Sequence, residues 1–378
     1  MAAVPAMSKE AVPAAPPGRV LSVDLFRGVV MFLLIGEATG LYELLASPTL
    51  QGTLLGSLGR QFQHHPWHGL RLWDLGLPFF MFISGVALVF SYERRWEKGE
   101  TWRRTLGHAA GRAAALFALG WALAKISPIE TGARGEFLLD VLPQLAVGGF
   151  LGFLLLRKPA WLQAAAALGL LAVTEGLYRL WSVPGFDQAF VPGKNFGSYL
   201  DQALFGRVSE GSWVTFNIVP AAAFVLAGTL AGRWLGRGGA PKRILTGLIV
   251  AGAAGVGTGL AMDPLTPIVR RLCTSSFVVL TVGLACLALA LGYWLKDMVR
   301  IGGKGAFFVC VGMNPLFIYL FAYSGGADWL RRIVEPFALA FGGIGGGSAA
   351  EVLAGLGTWA LMWGLCRWMY GRKVFIRF

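Results

Sequence analysis

Charged residues are scarce in this chain. Asp, Glu, Lys and Arg make up 14% of the 378 residues, whereas they make up roughly 25% of an ordinary soluble domain. Hydrophobic residues account for 56% of the sequence, and the mean hydropathy is +0.61. Glycine, with 53 residues, is about twice as frequent as usual, which suits helices that pack closely in lipid. The composition argues against a soluble domain and predicts a polytopic membrane protein.

Cysteine is also scarce. The four cysteines are isolated, lie in or beside apolar runs and show no metal-ligand spacing, so we expect no disulfide framework. The formal net charge of +13 arises from short Lys and Arg clusters between apolar runs, a pattern that reflects membrane topology. Because the chain lacks a basic tail, a zinc knuckle and an RNA-binding pattern, we do not expect it to bind nucleic acid. The cysteines are Cys273, Cys286, Cys310 and Cys366.

Apolar runs need about 20 residues to cross a bilayer. Ten such runs predict an all-α bundle of about ten transmembrane spans. Residues 328–347 are interrupted by charges and glycines and are predicted to form a re-entrant or interfacial segment. Residues 1–18 lack the apolar core of a signal peptide, so we expect a disordered cytosolic tail before a single transmembrane domain at 19–378. The ten runs lie near 22–46, 72–92, 106–125, 137–156, 160–182, 213–236, 243–262, 273–295, 305–323 and 349–370.

The distribution of Lys and Arg between the loops predicts the orientation of the spans. One set of loops carries most of these residues, for example Arg94, Arg95 and Lys98, and the other set is poorer. If both termini are cytosolic and the number of spans is even, the cytosolic end of every span is the end richer in Lys and Arg. The outward loops are then the loop that contains His64 and residues 183–212, 262–272 and 324–348.

Four prolines fall within the predicted spans: Pro78, Pro143, Pro220 and Pro315. Each lacks an amide hydrogen and leaves the carbonyl four residues earlier without its helical partner. Breaks of this kind occur at membrane depth where they line an enclosed or wet cavity. A simple packing kink is the alternative at each position.

Proton-handling side chains are concentrated in residues 64–78. This segment holds three of the four histidines, two tryptophans and a carboxylate, directly before an apolar run. If Pro66 begins a helix, a position that proline suits, then Trp67, Arg71 and Asp74 share one helix face. We expect the chemistry of the chain to take place near this segment.

His64 is a candidate base, because the unperturbed pKa of histidine is about 6.5. A neighbouring carboxylate would fix its tautomer and raise its basicity. Two carboxylates meet this requirement: Asp74 in the same segment and Glu37 in the first span. An ionisable group inside a span marks either function or a structural pair, so a pair with an arginine is the alternative for Glu37.

Two other interpretations of the histidines remain open. They could form an interfacial cluster beside an aromatic belt of Trp67 and Trp73. They could also bind a metal through His64, His65 and His68, although no carboxylate or cysteine set completes a zinc site.

Two segments are distinctive in combination: Arg19–Gly28 in the first span, and His64–Gly85, which contains His, Trp and Gly at positions 64, 67 and 69. Together they resemble the heparan-α-glucosaminide N-acetyltransferase family of membrane acetyltransferases and their bacterial relatives. The resemblance extends from about residue 19 to the end of the chain. Weaker matches follow in order at Thr274–Phe277, Gly312–Asn314 and Tyr370–Phe375.

The resemblance implies transfer of an acetyl group from cytosolic acetyl-CoA to an amino-sugar or glycan acceptor on the other side of a bacterial inner membrane. His64 would then be the catalytic histidine, as the base that deprotonates the amine or as a transient acyl carrier. Asp74 and Glu37 are the further catalytic candidates, on the residue argument given above. Membrane lipid and a second copy of the chain are the further expected partners. The other candidates are Trp67, His68, Arg71 and Asn314 for substrate, and Asp24, Arg27 and Ser275 for acetyl-CoA.

The residues themselves agree with a donor that enters from the cytosol. A thioester donor that carries phosphates needs cations at one face, and Arg27 with nearby cytosolic arginines supplies them. Asn314, beside the break expected at Pro315, either lines the channel to His64 or makes an interhelical hydrogen bond.

Two other functions remain open at this stage. In a transporter or exporter the broken helices would form the substrate path, although the spans show no clear internal repeat. A non-catalytic membrane scaffold is the second alternative.

Overall fold

The computed structural model describes residues 20–126, 136–300, 306–342 and 347–376. This part of the chain is all-α and contains no strand, apart from an isolated bridge between His68 and Val269. The predicted tail at residues 1–18 lies outside the described residues. The helices are α1 (Leu21–Glu37), α2 (Leu41–Leu45), α3 (Leu54–Gln61), α4 (Gly76–Glu97), α5 (Trp102–Ile126), α6 (Val141–Leu155), α7 (Ala160–Leu180), α8 (Phe196–Phe205), α9 (Ile218–Gly236), α10 (Pro241–Met262), α11 (Ser275–Tyr293), α12 (Ala306–Gly312), α13 (Pro315–Phe321), α14 (Ala327–Gly342) and α15 (Gly347–Gly371).

Short 3-10 and π segments extend or join several helices. The 3-10 segments are Pro48–Leu50, Leu72–Leu75, Glu136–Leu139 and Thr215–Asn217, and the π segments are Trp294–Met298 and Ala322–Gly326.

Seven helices of the described residues are long and apolar enough to cross a membrane, which makes the chain a multi-pass membrane protein. The other three predicted spans correspond to shorter helices. α1 has 17 residues and α6 has 15, and the span predicted at 305–323 is divided into α12 and α13 by two non-helical residues. Hydropathy alone does not show these helix ends, because the apolar run continues through the turn. The seven spans are Leu72–Glu97, Trp102–Ile126, Ala160–Leu180, Thr215–Gly236, Pro241–Met262, Ser275–Met298 and Ala349–Gly371.

The prediction of helix breaks at the prolines is wrong for three of the four. Pro78, Pro143 and Pro220 are each the third residue of a helix, in α4, α6 and α9. An amide in the first turn has no intrahelical acceptor, so proline removes no hydrogen bond there. Pro315 follows the real interruption and is the first residue of α13.

Glycines allow α4 and α9 to pack in backbone contact at the centre of the bundle. Gly85 lies against the carbonyl of Val225, and Gly228 lies against the carbonyl of Phe82. A Cβ at either glycine would overlap the backbone of the other helix, which cannot rotate away as a side chain can. The glycine excess in the sequence therefore has the packing role expected of small residues in membrane helices.

Gly228→Ala is expected to destabilise the folded protein by about 2 kcal/mol, because the added Cβ overlaps the Phe82 carbonyl and forces α9 away from α4. The measurement is the unfolding midpoint in detergent. Gly107→Ala in α5 is the matched control, since a Cβ there meets open space and alanine favours a helix. An equal loss of stability in the two variants would contradict this packing account.

Loops that are distant in sequence meet at one end of the bundle. The loop before α4 reaches the α10–α11 loop, where the Gly69 N–H donates to the Ile268 carbonyl at 2.9 Å. It also reaches the α7–α8 loop, where the Trp67 indole donates to the Phe190 carbonyl at 2.9 Å. The structure thus brings together loops that the charge pattern assigned to one side of the membrane.

Candidate functional site

The loop before α4 is not helical. Residues 62–71 contain no helix, and the 3-10 turn at Leu72–Leu75 leads directly into α4. The prediction of a helix that starts at Pro66 is therefore wrong. Gly69 has a φ of +136°, which few residues other than glycine adopt, and the residues beside it pair with the α10–α11 loop. Because of this long-range pairing, Trp67 and Asp74 do not share a helix face.

Asp74 is the buried anchor of this loop. Its carboxylate is fully buried and accepts hydrogen bonds from the His64 Nδ1 at 3.1 Å, the His65 N–H at 3.2 Å and the Arg71 N–H at 2.8 Å. The Nε of Arg270 lies 3.7 Å from the same carboxylate oxygen that His64 contacts. The carboxylate thus fixes both the loop backbone and the imidazole ring of His64.

This contact determines the tautomer of His64. Because the carboxylate accepts, Nδ1 carries the proton and the lone pair is on Nε2. Burial lowers the pKa of His64 to about 4, with Arg270 acting in the same direction and Asp74 opposing it. His64 is therefore neutral at pH 7, and its Nε2 is available to accept a proton from a group in the cavity that His64 lines.

We expect no titration of His64 between pH 8 and about pH 5.5. Histidine-selective isotope labelling followed by NMR in detergent measures this, with His64→Gln used to assign the signal. The unfolded chain binds this proton below about pH 6.5, so His64 should lower the stability of the fold progressively as the pH falls from 6.5 to 4. A His64 signal that titrates near pH 6.5 would contradict this account of its burial.

A cavity of about 380 Å³ lies beside His64. Trp213 lines this cavity. Its ring lies edge-on to the His64 ring at a centroid distance of 5.7 Å, and the Arg270 guanidinium lies over it, 4.6 Å from the ring centroid. Two further residues of the wall contact each other, since the Tyr319 hydroxyl donates to the Asp140 carboxylate at 2.6 Å. The cavity wall therefore combines aromatic surface with polar groups, the usual composition of a site for a small polar ligand.

Sequence reasoning missed most of this wall. Trp213, Arg270, Asp140, Tyr319 and Tyr323 lie far apart in the chain and converge only in the fold. The available signals were charged residues at the edges of apolar runs: Asp140 directly before α6, and the basic pair that includes Arg270 shortly before α11.

Glu37 does not contact His64, the residue that it was predicted to orient. It accepts hydrogen bonds from the Trp73 indole and from the Tyr323 hydroxyl, both at 2.6 Å. Of the two candidate carboxylates, Asp74 contacts His64. Glu37 instead fixes Tyr323, a residue of the cavity wall.

Three of the predicted substrate-binding residues hold the loop in place. The Trp67 indole donates to the Phe190 carbonyl, the Arg71 side chain donates to the His64 carbonyl at 3.0 Å, and the exposed His68 pairs with Asp263 at 2.8 Å. All three lie outside the cavity wall. Arg71 contacts His64 directly, whereas Trp67 and His68 tie the loop to the α7–α8 and α10–α11 regions.

Asn314, the fourth predicted substrate-binding residue, is buried away from the cavity. Its side chain donates to the Val374 carbonyl at 2.9 Å and accepts from the Ile376 N–H at 2.8 Å. It therefore ties the C-terminal segment to the interruption between α12 and α13.

The structure does not bring the three predicted acetyl-CoA residues together. Arg27 donates to Asp24 at 3.1 Å near the start of α1. That start is bound by Asp297, just beyond α11, whose carboxylate accepts from the Leu21 N–H at 3.1 Å. Ser275 is the first residue of α11 and donates to Glu175 at 3.2 Å. A helix of 19 residues is about 28 Å long, so Ser275 lies at the far end of α11 from the start of α1.

The three histidines of the loop have different surroundings. His64 pairs with Asp74 and His68 pairs with Asp263, while the His65 N–H donates to Asp74. Among the described residues, no group of three His, Cys, Asp or Glu side chains has the geometry to hold a metal ion.

No protein-family model matches the chain. The human protein heparan-alpha-glucosaminide N-acetyltransferase is 31% identical to it over 104 residues, which is 28% of this chain and 13% of the human protein. The matched part of this chain thus spans about an eighth of the length of that relative. The comparison establishes a distant and partial homology between this polytopic membrane protein and a membrane N-acetyltransferase.

Proposed function

We propose that the chain is a transmembrane acyltransferase. It transfers an acetyl or similar acyl group from cytosolic acyl-CoA to an amino-sugar or glycan acceptor on the outer side of the membrane. The observation that carries this proposal is the neutral His64, held by the buried Asp74 beside a cavity of about 380 Å³. The distant homology to a membrane N-acetyltransferase supports the same class of reaction.

The His64–Asp74 pair fits acyl transfer to an amine. The amine nitrogen attacks the thioester carbonyl carbon, and the carbonyl electrons move to oxygen. The attacking nitrogen becomes cationic, and its proton passes to the His64 Nε2, which Asp74 stabilises in the protonated form. The carbonyl then re-forms, the C–S bond breaks, and the coenzyme A thiolate takes the proton from His64.

A transient acyl-histidine is the other route through the same residue. In that route the Nε2 attacks the thioester directly and the amine then takes the acyl group from the ring. Acid quenching of the protein with radiolabelled acetyl-CoA distinguishes the routes, since label that stays on the wild-type protein and is absent from His64→Gln supports the carrier.

The proposed topology has ten crossings, with both termini cytosolic. The seven long helices are joined by α1, by α6 with the 3-10 turn before it, and by α12 and α13 together. The loops richest in Lys and Arg then face the cytosol, and the cavity at His64 faces outward. Arg27 lies at the cytosolic end in this arrangement, where an anionic donor approaches.

Thermal unfolding in detergent tests the donor class. Acetyl-CoA and coenzyme A should raise the unfolding midpoint, because a ligand that binds only the folded state stabilises it, and ATP should not. Equal shifts with all three compounds would indicate a general response to nucleotides. The absence of a shift with acetyl-CoA at saturating concentration would contradict the proposal.

A transporter is the second candidate. The interruption between α12 and α13 favours it, because discontinuous helices form substrate sites in many transporters. In this chain, however, the Asn314 side chain at the interruption is already bonded to the C-terminal segment. Uptake of glucosamine into vesicles that contain no acyl donor would favour transport over acyl transfer.

A further inference from the structure

Arg270 is a buried cation in the wall of the cavity. Its side chain is 13% exposed, and its Nη1 is fully buried without a hydrogen-bond partner among the described residues. Its Nε is 3.7 Å from Asp74, which is longer than a hydrogen bond. Burial lowers the pKa of Arg270 to about 10, with Asp74 opposing the shift, so the group stays charged at neutral pH. A buried donor without a partner is costly and calls for an explanation such as a ligand.

The loop around Arg270 holds the guanidinium in place. The hydroxyl of Thr274 accepts from the Val269 N–H at 3.0 Å and donates to the Pro267 carbonyl at 2.8 Å. The Asp263 carboxylate accepts from the Ile268 N–H at 2.9 Å. The guanidinium itself lies over the Trp213 ring. These contacts fix Arg270 before any ligand arrives, so its free N–H groups are preorganised.

Arg270 and His64 act on the same space. Both approach one oxygen of Asp74, both contact the Trp213 ring, and both line the cavity. A thioester whose attacking amine lies beside the His64 Nε2 therefore has its carbonyl group in the same space as a cationic donor. Fixed donors of this kind stabilise the negative charge that develops on a carbonyl oxygen during acyl transfer.

We propose that Arg270 is a catalytic residue that binds the carbonyl oxygen of the acyl group and stabilises the oxyanion formed when the amine attacks. This inference rests on the proposed function. In the step, the C–N bond forms, the carbonyl electrons move to the oxygen held by Arg270, and His64 takes the amine proton. Collapse of the oxyanion re-forms the carbonyl and releases the thiolate. Outside turnover, the same group binds a small carboxylate such as acetate.

The matched variants are Arg270→Gln, Arg270→Lys and Arg271→Gln. Arg271 lies on the same loop and contacts the Gly211 carbonyl and Trp213, but it lies outside the cavity wall. Arg270→Gln should lower kcat by about 100- to 1,000-fold, with the KM for acetyl-CoA changed by less than about threefold. Arg270→Lys keeps the charge and should retain more activity than Arg270→Gln, whereas Arg271→Gln should stay within about threefold of wild type.

A structural role as a counter-ion for Asp74 gives a different result. Removal of Arg270 would then raise the pKa of His64 and shift the pH–rate profile, while the rate on the high-pH plateau would be unchanged. The oxyanion role lowers the plateau itself. If Arg270→Gln does not fold, the plateau rate of Arg270→Lys is compared with that of the wild type instead.

Acetate binding tests Arg270 without turnover. Saturation-transfer NMR with acetate and purified protein should give a signal for the wild type and for Arg271→Gln. Folded Arg270→Gln should give no signal, and Arg270→Lys should bind acetate more weakly than the wild type. Arg270-dependent acetate binding in a wild type that transfers no acyl group would support the anion site and contradict the proposed function. Active enzyme with an unchanged plateau rate in Arg270→Gln, or acetate binding that does not depend on Arg270, would overturn the inference.

Discussion

His64→Gln should lower kcat for acyl transfer by about 100- to 10,000-fold. The physical reason is that the Nε2 is the base available in the cavity wall with a fixed tautomer, and it stays neutral at the working pH because its pKa is about 4. Glutamine retains a donor for Asp74, so the loop should keep its conformation. The measurement is the initial rate of label transfer from radiolabelled acetyl-CoA to glucosamine by purified protein.

His108→Gln is the control for the loss of a histidine. His108 lies on α5 beside Arg95, at 3.1 Å, and lies outside the cavity wall. Its replacement should leave kcat within about threefold of wild type. If His64→Gln and His108→Gln are equally active, the assignment of His64 as base or acyl carrier is wrong.

Asp74→Asn should have the second large effect. An amide can present its NH₂ group to His64 and so favour the tautomer with the proton on Nε2, which removes the base. Loss of the equivalent carboxylate in a serine protease costs about 10,000-fold in kcat, and we expect a fall of at least about 100-fold here. Because Arg270 also loses a buried counter-charge, the stability should fall by about 3 kcal/mol, measured by thermal unfolding.

Asp263→Asn provides the matched control for this change. Asp263 also pairs with a histidine, at 2.8 Å, but both side chains of that pair are partly exposed. An exposed ion pair contributes less than about 1 kcal/mol. Asparagine keeps an oxygen that can accept from the Ile268 N–H, so Asp263→Asn should have a small effect on both kcat and stability. Comparable losses in the two variants would indicate that the loop conformation, and not the Asp74 contact, supports the activity.

Local patterns in the sequence predicted the features that depend on nearby residues. Hydropathy predicted the all-α membrane bundle, and the glycine excess predicted close helix packing, which Gly85 and Gly228 show. The contact between His64 and Asp74 spans ten residues, and the sequence predicted either Asp74 or Glu37 as the partner of His64 without deciding between them. The catalytic role of the pair stays a prediction.

Long-range pairing accounts for what the sequence could not predict. The helix expected from Pro66 is replaced by a loop that pairs with Val269, about 200 residues later in the chain. Arg270 and Trp213 reach the same cavity from two further loops. The effect of each proline was also unpredictable from the sequence. It depends on where a helix begins, and the hydropathy of a continuous apolar run does not mark that position.

The most direct test of the central claim uses sealed proteoliposomes with radiolabelled acetyl-CoA outside and glucosamine inside. The account predicts that labelled N-acetylglucosamine accumulates inside vesicles with the wild-type protein and not inside those with His64→Gln. Formation of the labelled product at the wild-type rate by His64→Gln, or its absence from vesicles with active, folded wild-type protein, would contradict the account.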